Sequence, residues 1–235
     1  MGAAIGFLFR AHYFILLLPA FAVAVGVAVH LLQDCLRPKL AKIIPLILFA
    51  VVFGLNVRLQ EKLFFELPSV AVCRDIYGWQ NPFVESVAVA RFIREHSAAT
   101  ARVAVVGSEP EIYFYAQRHS ATGYIYTYPL METQPYAVAM QREMINEIEA
   151  SKPEYLVLVM YRYSWLLHDE SDTEILSWIG GYSKEFYEKV GLVNARPGGQ
   201  AAYLWGDDAR KYQGPLDQFF EIYKRKPTLI PAKTN

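Results

Sequence analysis

The chain has 235 residues, 54% of them apolar and 20% charged, with 23 basic side chains balanced by 23 acidic ones. That balance argues against a nucleic-acid binder, which needs a basic excess against phosphate, and the 14% aromatic content excludes a disordered chain. The average hides a division: four basic residues and one acidic stand before Arg58, and 19 basic and 22 acidic from Arg58 onward.

Residues 11–32 carry no formal charge. At ~1.5 Å rise per residue such a helix covers a hydrocarbon core of ~30 Å. Pro19, inside the run, is tolerated in a membrane, where neighbouring helices re-satisfy the freed carbonyl. A second run, 43–57, extends to a span of about 40–59 if Lys42 and Arg58 snorkel to the interfaces. A buried soluble hairpin is the rival reading, and a first run apolar on every face counts against it. Ala22-Val23-Ala24 resembles a signal-cleavage site, but the stretch before Arg10 is apolar rather than basic and the apolar run continues past the site. Cleavage is not expected.

Asp34, Arg37, Lys39 and Lys42 give the short connection a basic excess, which the positive-inside rule assigns to the cytoplasm. The expectation is a multi-pass protein of the cell (inner) membrane, with residues 1–60 a transmembrane hairpin and everything after Leu59 extracytoplasmic. Cys35 and Cys73 would then face opposite compartments and could not pair.

Residues 61–81, with Phe64, Phe65, Tyr77 and Trp79, suit a juxtamembrane connector. Over 82–206 the pattern predicts an extracytoplasmic α/β domain with a small, mostly parallel sheet. The helix 83–96 places Phe83, Val87, Ala90 and Ile93 on its apolar face. Strands follow at 102–107, 121–126 and 154–160, alternating with a helix that starts at 108–111 and a helix at 135–150. A short helix, 172–179, should end at Gly180-Gly181. An antiparallel hairpin, 184–193 with 200–205, closes one edge. The tail, 207–235, reads as irregular or partly helical.

Gly107-Ser108-Glu109-Pro110 occupies the turn where a nucleotide fold carries its glycine fingerprint, yet G-x-G-x-x-G and the P-loop are absent and Glu109 would repel a pyrophosphate. Ser108 and Pro110 suit a helix start. Position allows a second role, since ligands in open α/β sheets bind beyond the carboxyl ends of strands. Three such ends carry Ser108 and Glu109; Tyr126 and Tyr128; and Tyr161, Arg162, Tyr163 and Trp165. Convergence would make an aromatic-walled groove for a sugar or polar headgroup; aromatic turns could equally pack on a membrane partner. The five histidines lack metal spacing, Ser164 has no G-x-S-x-G context, and no acid/base pair stands out. No metal or cofactor is expected. Arg10, His12 and Tyr13 enter the first span at its outer end, where they can meet a lipid phosphate or act as interfacial anchors.

Taken in order, His12-Tyr13-Phe14 with Pro19, Asn81-Pro82-Phe83, Val106-Gly107-Ser108-Glu109-Pro110-Glu111 with Tyr113, Tyr115 and Arg118, Tyr126 to Leu130, and Lys152-Pro153-Glu154-Tyr155 give a pattern over nearly the whole chain. It resembles the C-terminal end of bacterial integral-membrane glycosyltransferases of the protein-mannosyltransferase-like superfamily. The resemblance implies a polyprenyl-phosphate-linked sugar as donor, an extracytoplasmic acceptor and inverting displacement. Such enzymes keep their catalytic acids in the first outer loop of an N-terminal region that has no counterpart here. The chain is therefore expected to be inactive alone, with no catalytic residue carried over, and to rely on a separate polypeptide bearing the catalytic spans. The alternative is a membrane-tethered binding or scaffold module that docks on another membrane protein. A nucleotide-binding domain behind an anchor is a third reading, weakened by the missing glycine fingerprint.

Overall fold

The structure is a computed structural model that describes residues 11–196, 198 and 200–227. The chain divides into two compact units, Met1–Leu67 and Pro68–Asn235.

In the first unit a 3-10 stretch, Ala11–Leu17, runs into α1 (Leu18–Cys35), and a second, Lys39–Ile43, runs into α2 (Ile44–Leu59). Pro19 and Pro45 both fall in the first turn of their α-helices, where the missing N–H costs no intrahelical bond. The continuous helical segments, Phe14–Cys35 and Ala41–Leu59, are long and apolar enough to cross a membrane. Among the described side chains α1 buries none and α2 only Pro45, unlike core helices of a soluble protein. The connection is fastened by Gln33 Nε2 donating to the Lys42 carbonyl at 2.9 Å and by a Lys42–Asp34 ion pair at 3.5 Å. After α2 a π-helical turn, Lys62–Glu66, closes the unit.

The second unit begins with α3 (Ser69–Tyr77) and α4 (Phe83–Glu95), then β1 (Arg102–Val106), α5 (Glu111–Ala116), β2 (His119–Ser120), α6 (Tyr128–Met131), α7 (Ala137–Ser151) and β3 (Tyr155–Met160). It continues through α8 (Arg162–Trp165), α9 (Glu174–Phe186), β4 (Tyr187–Ala195), β5 (Ala201–Trp205), α10 (Asp207–Lys211) and β6 (Gln218–Arg225). The six strands form one sheet in the order β2-β1-β3-β6-β4-β5. Strand β1 pairs in parallel with β2 and β3; β6 is antiparallel to both β3 and β4, and β4 to β5. The sheet is mixed rather than mostly parallel as expected, because β6 inserts antiparallel between β3 and β4 and leaves three of the five pairings antiparallel; the expected hairpin stands at its edge.

Alternation along β1 sends Val103 and Val105 to one face, with Val89, Ile93 and Ile112 of α4 and α5, and Ala104 and Val106 to the other, with Met144, Ile148 and Ile179 of α7 and α9. The sheet is thus covered on both sides.

Four further expectations need correction. The segment from Asp207 is not merely tail: β6 lies at the centre of the sheet, with Phe220 and Ile222 fully buried. Only His119 and Ser120 pair as β2, short of the strand expected at 121–126. Helix α9 runs through Gly180 and Gly181, because the next turn buries Tyr182 against Trp178, Phe186 and Tyr187. That packing outweighs roughly 1 kcal/mol lost per helical glycine. Finally, α4 buries Glu85, Ser86, Val89, Ala90 and Ile93, leaving Phe83 exposed and Val87 half-buried. Its inward face is turned toward two polar residues.

Candidate functional site

The parallel strands β1 and β3 end side by side, so the turns that follow them meet. Gly107 makes the meeting possible: a Cβ there would strike Glu109 Oε2 and lie 2.7 Å from Val159 Cβ and 2.8 Å from Ser164 Oγ. Ser164, on α8, donates its hydroxyl proton to Glu109 Oε2 at 2.9 Å and accepts the Ser108 N–H at 3.0 Å. Thr127, just before α6, donates its hydroxyl proton to the Ser164 carbonyl at 3.1 Å and its N–H to Ser108 Oγ at 3.0 Å. Each hydroxyl has a single proton. The 2.9 Å contact between Ser108 Oγ and Thr127 Oγ1 must therefore be donated by Ser108. The result is a closed knot of hydrogen bonds joining the turns after β1 and β3 to the segment just before α6.

Glu109 is 3% exposed. Burial pushes its carboxyl up to about 8, opposed by the Ser164 hydrogen bond, reinforced by the nearby Glu111 charge and opposed again by the Ser108 backbone. At neutral pH its neutral form predominates. Ser164 spends its proton on this carboxyl and is fully buried. No histidine is among the hydrogen-bond partners of this pair.

The remaining predicted groove residues divide by exposure. Trp165 is buried, its indole N–H donating to the Val159 carbonyl at 2.6 Å. Tyr128 is half-buried and donates its hydroxyl to the Tyr163 carbonyl. Tyr126 is exposed, its ring 4.3 Å from that of Tyr128. Arg162 is exposed, its backbone N–H bound to Gln218 Oε1 at 3.1 Å. The structure therefore gathers Ser108, Glu109, Tyr126, Tyr128, Arg162 and Trp165 around one end of the sheet, with the acid and the indole inside and Tyr126 and Arg162 outside. Arg10 lies outside the described residues, and of His12 and Tyr13 only the backbone is described. Among the described residues no group of three His, Cys, Asp or Glu side chains could hold a metal ion.

A second polar cluster escaped sequence reasoning. Arg74 of α3 pairs with Glu85 of α4, Nη2 to Oε1 at 2.5 Å, and Glu85 is fully buried. Arg74 Nη1, Glu85 Oε2, Ser86 Oγ, Glu111 Oε1 and Tyr161 Oη are all buried without a hydrogen-bond partner. Burial raises the Glu111 carboxyl. Burial also raises Tyr161, aided by the Glu85 charge. The available signal was Glu85-Ser86 inside an otherwise apolar helix face; its partner 11 residues earlier was not legible.

Arg118, one of the residues carrying the resemblance, has a purely architectural setting. Its guanidinium donates to Ser97 Oγ and to the carbonyls of Arg94, Ser97, Ala116 and Gln117 at 2.7–3.1 Å. It satisfies carbonyls left open at the C-terminal ends of α4 and α5.

Compared with protein-family models, curated proteins and solved structures, the chain matches none.

Proposed function

We propose that the chain is a membrane-anchored, non-catalytic segment of a polyprenyl-phosphate-sugar glycosyltransferase. Two spans hold an extracytoplasmic α/β domain that helps orient the lipid-linked sugar or its acceptor, while a partner polypeptide supplies the bond-making groups. One observation carries the reading: two separated stretches on which the resemblance rests, 106–111 and 126–130, join in one knot through Ser108, Glu109, Thr127 and Ser164. The non-catalytic part rests on the burial of that knot, where Glu109 is 3% exposed and the fully buried Ser164 spends its proton on it. The outer location rests on Arg37, Lys39 and Lys42 between the spans.

The test is photocrosslinking of the chain, reconstituted in phosphatidylcholine nanodiscs, with a polyprenyl-phosphate sugar bearing a diazirine on the sugar. The expected result is a crosslink to peptides carrying Tyr126 or Arg162, without sugar transfer. Turnover by the chain alone would refute the non-catalytic assignment. Absence of any crosslink would refute the lipid-sugar assignment and favour a module docking on another membrane protein, for which the exposed neighbours Ile125 and Tyr126 offer an apolar contact.

A further inference from the structure

Helix α3 carries Val70, Cys73 and Tyr77 at positions three and seven apart, which places them on one stripe. Helix α4 presents Phe83, Val84 and Val87, and α5 presents Glu111 and Tyr115 one turn apart. These stripes face one another across a cavity of about 340 Å³, within the range of small-molecule sites. Its walls are Val70, Tyr77, Phe83, Val84, Val87 and Tyr115, with the Cys73 thiol among them. The single ionisable acid in this lining is Glu111.

Charge decides what fits. The guanidinium of Arg74 is committed to Glu85 by the 2.5 Å ion pair. Arg74, Glu85 and Glu111 all act electrostatically on Cys73, so they share one neighbourhood. Two carboxylates against one guanidinium leave one negative charge uncompensated there when both acids are ionised. Desolvation of Glu111 makes that charge costly until a cation approaches. An anion would be repelled, and a neutral alcohol could donate a hydrogen bond to Glu111 but would leave its charge uncompensated.

We infer that the cavity between α3, α4 and α5 binds a protonated amine on an apolar body, the ammonium against Glu111 and the body against Val70, Phe83, Val84 and Val87. The amine can be a dissolved alkylamine or the ethanolamine headgroup of a phospholipid. The inference does not rest on the glycosyl-transfer reading, and failure of either leaves the other standing.

With Cys35→Ser, Cys73 is the sole thiol of the full chain, and its rate of modification by N-ethylmaleimide in phosphatidylcholine nanodiscs reports occupancy. Millimolar octylamine should slow the reaction about fivefold, as expected at a concentration of roughly four times Kd. Octanol should slow it less than about twofold on the same scale. Glu111→Gln should abolish the octylamine effect, and so should Val87→Trp, which fills the cavity without touching the carboxylate. Protection by octanol equal to that by octylamine, protection that survives both substitutions, or no protection by either octylamine or ethanolamine lipid would overturn the inference. Slowing when phosphatidylethanolamine replaces half of the phosphatidylcholine identifies a membrane headgroup as the source; slowing with octylamine alone identifies a dissolved amine.

Discussion

Replacing Glu109 with Gln tests whether the strand-end acid is neutral in the folded protein. Its carboxyl is held at about 8 against an ordinary 4.5, so the folded state binds this proton more tightly than the unfolded chain. For an acid raised in this way, stability is fully present below about 4.5 and is lost as pH climbs through 4.5 to 8. Integrating the linkage gives a loss of about 1 kcal/mol at pH 5, about 3 kcal/mol at pH 7 and about 5 kcal/mol at pH 9. Glu109→Gln removes the titration while keeping an oxygen to accept from Ser164. Any fixed cost of the amide cancels when the two proteins are compared across pH. All four tryptophans, Trp79, Trp165, Trp178 and Trp205, lie in the second unit, so tryptophan fluorescence during urea unfolding in mild detergent reports on that unit. Relative to wild type, the variant should gain about 4 kcal/mol between pH 5 and pH 9. A difference between the proteins that stays constant to within about 1 kcal/mol over that range would refute the buried neutral carboxyl.

Four further outcomes follow from the same contacts and can be read by the same unfolding assay. Gly107→Ala should cost at least about 2 kcal/mol, because its Cβ would press on Val159 Cβ and Ser164 Oγ inside a packed turn; a neutral effect would show that the turn can open. Arg118→Ala should cost about 3 kcal/mol by opening carbonyls at two helix ends, and Arg118→Lys should recover little, since a point charge cannot reproduce the five-donor fork; full rescue by lysine would contradict this. Arg74→Ala should cost about 3–5 kcal/mol by stranding the buried Glu85, and Arg74→Met with Glu85→Gln should cost less; an equal or larger loss in the double variant would contradict the pairing. Glu111→Gln removes a like charge that raises Glu109, so the upper end of the pH window over which stability falls should move downward and the total loss should shrink, the onset near 4.5 staying in place; a larger loss would contradict that coupling.

The parts of the fold that could be read from sequence are those whose signal is local. Twenty-two uncharged residues, the strand R-V-A-V-V and the run Y-L-V-L-V-M declare themselves by composition and length, and the structure has helix or strand at each. What was missed depends on distant partners. The segment Q-F-F-E-I-Y-K-R alternates as a strand should, yet it follows a proline-bearing stretch and looked like part of a tail. Its place between β3 and β4 depends on pairing with residues some twenty to seventy positions upstream. The glycines at 180 and 181 gave a correct local stop signal that the burial of Tyr182 overrode. At the site, position beyond the strand ends singled out Ser108, Glu109, Tyr126 and Tyr128. Thr127 between the two tyrosines, and Ser164 beyond the next strand, complete the knot through long-range hydrogen bonds that no spacing rule contains.

Glu109 and Glu111 show how far one turn can separate two identical side chains. Both read in sequence as acids complementing the start of a helix. A helix of six residues, Glu111–Ala116, gives weak support to such a role. Pro110 stands between them at helical φ, so Glu109 remains before the helix and turns toward Ser164, whereas Glu111 begins it and lines the cavity beside Cys73. The first carboxyl is satisfied by a hydroxyl and held neutral by burial; the second keeps a buried oxygen without a partner. A satisfied acid stabilises architecture, and an acid that lines a cavity is a place where a ligand can supply a counter-charge. The turn 107–111 therefore joins a structural knot on one side to a candidate binding site on the other. Substitutions that loosen the knot, such as Gly107→Ala, should disturb the cavity through Glu111 without touching any of its apolar walls.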